Sequence, residues 1–308
     1  MKVFLTGANG FIGSYITAAL LWDGHSVTAA VRKPEELLKR FPGLKAAKAV
    51  DMNTATSADH WSPLIRGMDA VINCAGVLQG SAKQNIWNIH HLSPAALFEA
   101  CEKARVEKVI QISAISADRE IGTAYALSKL AAEDDLRSRK LKWVVLRPSL
   151  VMAANAYGGT ALLRKLASLP VIPLVGKGDQ KFQLVMMDDL TKVVLNSLIR
   201  PKMNKVTLEV VGPEVFEVKD ILIKLRAWSG KKPAPAISIP VGLVKMTSRL
   251  TDLFSLGPMR TTALKHMIYG NVGKQDALQR MRHLAGCKPG TFDDFLKANQ
   301  PDNSGRHR

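Results

Sequence analysis

Two side chains four positions apart carry the clearest chemistry in this sequence. Tyr125 and Lys129 stand in Tyr125-Ala126-Leu127-Ser128-Lys129, inside a helical pattern over Thr123–Ser138. That spacing sets both on one helix face. A phenol with a free pKa of ~10 is a poor base at neutral pH, but a neighbouring ammonium favours its anion, so the pair can exchange a proton with an oxygen. A second group is the run Gly7-Ala8-Asn9-Gly10-Phe11-Ile12-Gly13, between a strand pattern and a helix pattern. Gly7 allows a sharp turn, Gly10 leaves room for backbone to approach a pyrophosphate, and Gly13 lets the helix lie close. The unpaired N–H groups of the helix start then favour phosphate.

These residues need a scaffold that delivers them to one place. Lys2–Thr6 reads as a buried strand, and Phe11–Asp23 as a helix with Ile12, Ile16, Ala19 and Leu20 on one face. Val27–Val31, Lys48–Asp51 and Ala70–Asn73 read as the next three strands, Pro94–Ala104 as a helix, Val109–Ser113 as a fifth strand and Trp143–Arg147 as a sixth. Strands alternating with helices predict an α/β fold with a doubly wound parallel sheet. Residues 1–150 are expected to form this domain, rejoined in part by 182–211. The strand pattern Phe182–Met186, a helix near Asp189–Ile199 and the strand pattern Val206–Val210 lie in that second piece. A smaller, mainly helical C-terminal lobe is expected over 212–300, as a substrate or partner lobe, with a frayed tail over 301–308.

The motifs in this order resemble the short-chain dehydrogenase/reductase superfamily, in its extended and atypical branches. The resemblance rests on Thr6-Gly7 through Gly13, on Asp51-Met52 ending the third strand, on Asn73-Cys74-Ala75-Gly76 ending the fourth, on Tyr125-x-x-x-Lys129 and on Arg147-Pro148-Ser149. With Leu169-Pro170-Val171-Ile172-Pro173-Leu174 it points to the group that includes the nucleotide-binding accessory subunit of respiratory complex I and its bacterial relatives. It implies a Rossmann-type sheet and a nicotinamide dinucleotide contacted by Gly7, Asn9, Gly10, Phe11, Ile12, Gly13, Asp51, Met52, Asn73, Ala75, Gly76, Tyr125, Lys129 and Pro148. Tyr125 would be the acid/base, and Lys129 its electrostatic partner and a donor to the ribose hydroxyls. A Ser or Thr that polarises the substrate carbonyl is the usual third member. By register its place falls near Ala114, flanked by Ser113 and Ser116, either of which could polarise the carbonyl; Ser113 is the cofactor-side residue and the catalytic candidate.

The second strand ends Val31-Arg32-Lys33-Pro34, with no acid before Glu35. An NAD-selective site usually has a carboxylate there, ~20 residues past the glycines, to bond the ribose 2′-hydroxyl. Two cations suit a 2′-phosphate instead, and the planar Arg fork suits it best. The expectation is a preference for NADP(H) over NAD(H), with Arg32 as the main contact and Lys33 secondary.

Bulk properties narrow the classes. The chain has 308 residues, 47% hydrophobic, enough for a large core. No apolar run approaches the ~18 residues of a membrane span, and the start of the chain shows no leader pattern. Three widely spaced cysteines, Cys74, Cys101 and Cys287, suit reduced thiols, so a cytoplasmic protein is expected, with peripheral attachment to the inner face of a membrane as the variant. No Cys or His spacing suggests a metal site. The net charge of +17 favours anions: a dinucleotide, an acidic protein or an anionic membrane surface. The basic residues are dispersed and no nucleic-acid motif is present, which argues against nucleic acid.

Other residues read more plainly. His90 and His91 read as packed or surface histidines beside Asn88, which could support the active-site helix. Asp188-Asp189 reads as a helix start. Val241–Leu256 reads as lobe core more than as a membrane-surface stripe. Three functions follow: an NADP(H)-dependent oxidoreductase; a non-catalytic scaffold or assembly protein braced by its cofactor; and a redox-sensing regulator, which the intact Tyr125 and Lys129 disfavour.

Overall fold

The computed structural model describes residues 1–81, 83–155, 158–244 and 261–300. Short apolar runs form β1 (Lys2–Thr6), β2 (Ser26–Val31), β3 (Ala46–Ala49), β4 (Ala70–Asn73), β5 (Lys108–Ile112), β6 (Lys142–Pro148) and a later strand, β10 (Val206–Val210). They pair in parallel in the order β10-β6-β5-β4-β1-β2-β3. The four central strands β1, β4, β5 and β6 are almost wholly buried, as a parallel sheet covered on both faces requires. The order reverses between β1 and β4. Their carboxyl ends therefore flank the crevice where sheets of this kind bind ligands.

Helices α1 (Phe11–Trp22), α2 (Pro34–Arg40), α3 (Ala58–Ile65), α4 (Ser93–Lys103) and α5 (Ala124–Ser138) form the crossovers. Phe4, Trp61, Ile65, Leu97, Phe98 and Leu136 bury their side chains in one core, each worth roughly 1.5–3 kcal/mol. The Phe4 and Trp61 rings meet edge to face at 6.2 Å, and the Trp61 indole donates to the Ala55 carbonyl at 2.9 Å. Thr123 caps α5 by accepting the Ala126 N–H at 3.1 Å, which fixes where Tyr125 and Lys129 begin their turn. α4 is preceded by a wider π turn over Asn88–Leu92. Pro94 has no N–H for the His90 carbonyl four residues back and its ring would press on that carbonyl, so the turn opens there.

The chain separates into two compact units. The first is residues 1–148, 190–210 and 276–288; the second is 149–189, 211–275 and 289–308. The expected return of 182–211 to the sheet is made only by β10. The segment containing Phe182–Met186 becomes β9 (Lys181–Met186), which pairs instead with β7 (Leu150–Met152) and β11 (Val215–Glu217). The span 212–300 likewise divides, since Asp276–Lys288 groups with the first unit.

The second unit also holds α6 (Gly158–Ala167), β8 (Ile172–Val175), α8 (Val218–Trp228), β12 (Ala236–Ile239) and the helices Thr261–Tyr269 and Phe292–Ala298. It is thus a mixed body, with its own core around Leu163, Leu184, Ile221, Leu222 and Phe292. Asp188 and Asp189 lie in the first turn of α7 (Met187–Ile199), and the Asp189 carboxylate accepts the Gly290 N–H at 3.0 Å. Residues 245–256 of the apolar stripe and the tail 301–308 lie outside the described residues.

Candidate dinucleotide and proton-transfer site

The glycine turn is built by exclusion of side chains. Gly7 has φ +70°, and a β-carbon there would stand 2.7 Å from the Ala75 nitrogen and the Cys74 carbonyl carbon. The turn out of β1 thus lies directly on the backbone that leaves β4. A β-carbon on Gly13 would sit 2.1 Å from the Gly7 carbonyl oxygen, and one on Gly10 3.1 Å from it. Gly13 therefore presses α1 onto the turn itself rather than onto the sheet. α1 opens with no side-chain cap and no acid in its first turn. Asn9 is exposed, and Phe11 and Ile12 are half-buried. This cradle fits a pyrophosphate: side-chain-free, close to a helix start, and without competing carboxylate.

The strand ends around it are cross-linked. The Thr6 hydroxyl donates to Asn73 Oδ1, which also accepts the Ala75 N–H at 3.2 Å; Asn73 Nδ2 donates to Gln111 Oε1 at 2.7 Å. Asn73 thereby ties β1, β4 and β5 together and holds the Cys74–Gly76 bend against Gly7.

At the end of β2, Arg32 is exposed and makes no ion pair among the described residues, whereas the Lys33 ammonium is already bonded to Glu36 at 2.7 Å. Asp51 was expected at the end of the third strand, but β3 stops at Ala49. Ala46 and Ala47 give little hydrophobic signal, yet they pair with Thr28 and Ala29, shifting the strand two residues earlier. Asp51 instead opens a turn: its carbonyl accepts the Thr54 and Ala55 N–H groups, and its Oδ1 accepts the Asn53 N–H at 2.9 Å. Met52 packs on the core. Asn53, which the sequence did not single out, joins this turn to the next loop by donating to the Lys83 carbonyl and accepting the Asn85 N–H; Asn88 in turn donates to the Asn53 carbonyl at 2.7 Å.

Tyr125 and Lys129 do share a face of α5. The Lys129 ammonium is buried, donates to the Ile112 carbonyl at 3.0 Å and lies 5.8 Å from the centre of the Tyr125 ring. Burial lowers its pKa to about 8, partly offset by Cys74 and Glu133. Burial likewise pushes the Tyr125 phenol up to about 12. Gly76 closes over Lys129 and His90: a β-carbon there would be 3.3 Å from both Lys129 Nζ and His90 Nε2.

Ser113 has a different setting. It is buried, and its hydroxyl donates to Glu133, a fully buried carboxylate also held by Arg147 through 2.6 and 2.9 Å bonds and by Arg137. The hydroxyl proton is committed to that carboxylate. Ala114 and Ser116 are buried too. Pro148 ends β6, its carbonyl accepting the Ile115 N–H at 3.1 Å. Glu133 could have been found from the sequence, because it extends the Tyr125, Lys129 series by one more helical step.

No group of three metal-ligating side chains occurs among the described residues, and no helix among them is long and apolar enough to cross a membrane.

A family model described as NAD(P)H-binding matches residues 7–168, the span from the glycine turn through Tyr125 and Lys129. The chain belongs to that NAD(P)H-binding family. Its likeness extends to epimerase-like dinucleotide-binding proteins and, more distantly, to a complex I subunit. A ceramide reductase of Caulobacter vibrioides is 24% identical over 84% of this chain and 83% of its own. Subunit 9 of the NADH dehydrogenase (ubiquinone) 1 alpha subcomplex of Arabidopsis thaliana mitochondria is 23% identical over 93% of this chain and 75% of its own. Among solved structures, a UDP-glucuronic acid 4-epimerase of Bacillus cereus, in complex with UDP-glucuronic acid and NAD, superposes with a TM-score of 0.74. It is 19% identical and covers 97% of this chain and 98% of that one, a likeness of fold.

Proposed function

We propose that this family member is an NADP(H)-dependent oxidoreductase that interconverts a carbonyl and an alcohol, with Tyr125 as acid/base and Lys129 as its electrostatic partner. The observation that carries the reading is the half-buried Tyr125 ring against the buried Lys129 ammonium, which lies under Gly76, at the carboxyl edge that also bears the glycine turn. The bound nicotinamide supplies or accepts the hydride. In the reductive direction Tyr125, protonated through the neutral range, gives its Oη proton to the substrate oxygen. Lys129, charged below about pH 8, stabilises the phenolate left behind. Arg32 supports the preference for a 2′-phosphate: it is exposed and without an ion pair among the described residues, while Lys33 is occupied by Glu36.

Ser113 favours a second reading. With its hydroxyl committed to Glu133 and an alanine at the next position, carbonyl polarisation lacks that serine. The dinucleotide would then act as a folding brace, adding about 2.7 kcal/mol at ~100 times its dissociation constant. The chain would serve as a scaffold or assembly protein in a respiratory-type or membrane-associated complex, and its +17 charge would meet an acidic or anionic face. The similarity to a subunit named for NADH dehydrogenase fits this reading.

Purification followed by fluorescence of co-purifying NADPH, then addition of carbonyl compounds, separates the two. Consumption of NADPH that is lost in Tyr125→Phe supports the oxidoreductase. Tightly held, unreactive NADPH in a protein recovered within a membrane-associated complex supports the brace.

A further inference from the structure

We infer that His90 is a positioning residue, which sets the orientation of Tyr125 against the Gly76–Val77 bend. This rests on the oxidoreductase reading of Tyr125. His90 is 2% exposed and sits in the π turn before α4. Its Nε2 lies 2.9 Å from the Val77 N–H, and its Nδ1 lies 3.0 Å from the Ser128 hydroxyl.

The Val77 amide can only donate, so Nε2 is the acceptor and the neutral ring carries its proton on Nδ1. Nδ1 then donates to Ser128, and the Ser128 hydroxyl donates to the Tyr125 carbonyl at 3.2 Å. The hydrogen bonds thus run in one direction from the β4 bend, through the imidazole, to the first turn of α5. The same ring meets the Tyr125 ring edge to face, with centres 5.3 Å apart and planes at 84°. Gly76 leaves the remaining space: a β-carbon there would stand 3.3 Å from His90 Nε2 and Lys129 Nζ. Burial and the Lys129 charge hold the imidazole neutral, so this bonding direction persists across the neutral range. An apolar side chain would fill the volume but could make neither bond.

Two substitutions each keep one bond. Asn carries its amide nitrogen where Nδ1 stands, and Gln its amide oxygen where Nε2 stands. The full chain, His90→Asn, His90→Gln, His90→Phe and Tyr125→Phe are compared by two measurements: NADPH consumption with diacetyl as the carbonyl probe, and the NMR ring signals of isotope-labelled tyrosine. The four tyrosines make the latter tractable, and loss in Tyr125→Phe assigns the Tyr125 signal. Positioning predicts that kcat falls about tenfold in His90→Asn and His90→Gln and about 100-fold in His90→Phe, with KM for NADPH within about twofold. The Tyr125 signal shifts or broadens in all three.

Wild-type kcat in His90→Phe, with turnover abolished in Tyr125→Phe, overturns the inference and leaves the oxidoreductase reading standing. Turnover retained in Tyr125→Phe, or absent from every protein, overturns the oxidoreductase reading. The ring signal then decides the positioning: a Tyr125 signal unchanged in His90→Phe overturns it.

Discussion

Helix α5 carries two buried polar clusters one turn apart, and they are built on opposite principles. In one, the Glu133 carboxylate is held by Arg147, Arg137 and Ser113, and Arg137 extends the network to Thr207 on β10. Opposite charges meet there at hydrogen-bond distance, so the groups neutralise and fix one another. In the other, Lys129 donates to a neutral carbonyl and faces a neutral imidazole and a phenol. With no carboxylate bonded to it, burial dominates and drives the lysine pKa down to about 8 and the tyrosine pKa up to about 12. The contrast teaches where chemistry is available. A satisfied ion network holds strands and helix in place, whereas burial without a bonded carboxylate brings the Lys129 proton near the range where it can be exchanged and keeps the Tyr125 phenol protonated as a donor.

The comparison breaks most directly at Tyr125. Tyr125→Phe should lower turnover by roughly 10²–10⁴-fold while leaving NADPH affinity and melting temperature close to wild type. A Glu133 substitution should do the reverse. Glu133→Ala removes the carboxylate shared by the half-buried Arg147 and Arg137, leaving Arg137 with Asp134 at 2.8 Å, and chemical denaturation should register a loss of up to about 3 kcal/mol. A thermally robust Glu133→Ala would show that this cluster does not hold the fold.

Two smaller effects sharpen the account. Arg32→Ala should weaken NADPH about 10- to 100-fold, equivalent to ~1.5–3 kcal/mol for a charged hydrogen-bonded contact, without changing NADH affinity in a calorimetric titration. The pH profile should show the mildest change. Because the Lys129 pKa is lowered, its charge is present below about pH 8 and lost above it, so reductive kcat should be level through neutrality and decline as pH rises through that value. A profile still level well above it would separate Lys129 from catalysis.

The sheet was largely readable because buried parallel strands are short apolar runs, and the β1, β4 and β10 patterns coincide with the observed strands. β3 was less legible because alanines at a sheet edge carry almost no periodic signal, which also left Asp51 in a turn rather than on a strand. Phe182–Met186 has a strand pattern as good as any, but a pattern does not name the partner, and the strand pairs outside the main sheet. In the site, Tyr125, Lys129 and the glycines were legible from spacing. His90 was not: its role depends on Val77 and Ser128, thirteen and thirty-eight residues away, which no local pattern connects. Ser113 was visible as a residue type, but its engagement with Glu133 appears only in three dimensions.

Proton transfer by the Tyr125–Lys129 pair during dinucleotide turnover is read in a single-turnover experiment: the full chain loaded with NADPH, mixed with a carbonyl probe, and followed by nicotinamide fluorescence beside Tyr125→Phe. The emission should decay in the wild type and persist in the variant. Emission that persists in both, or decays equally in both, contradicts this role of the pair.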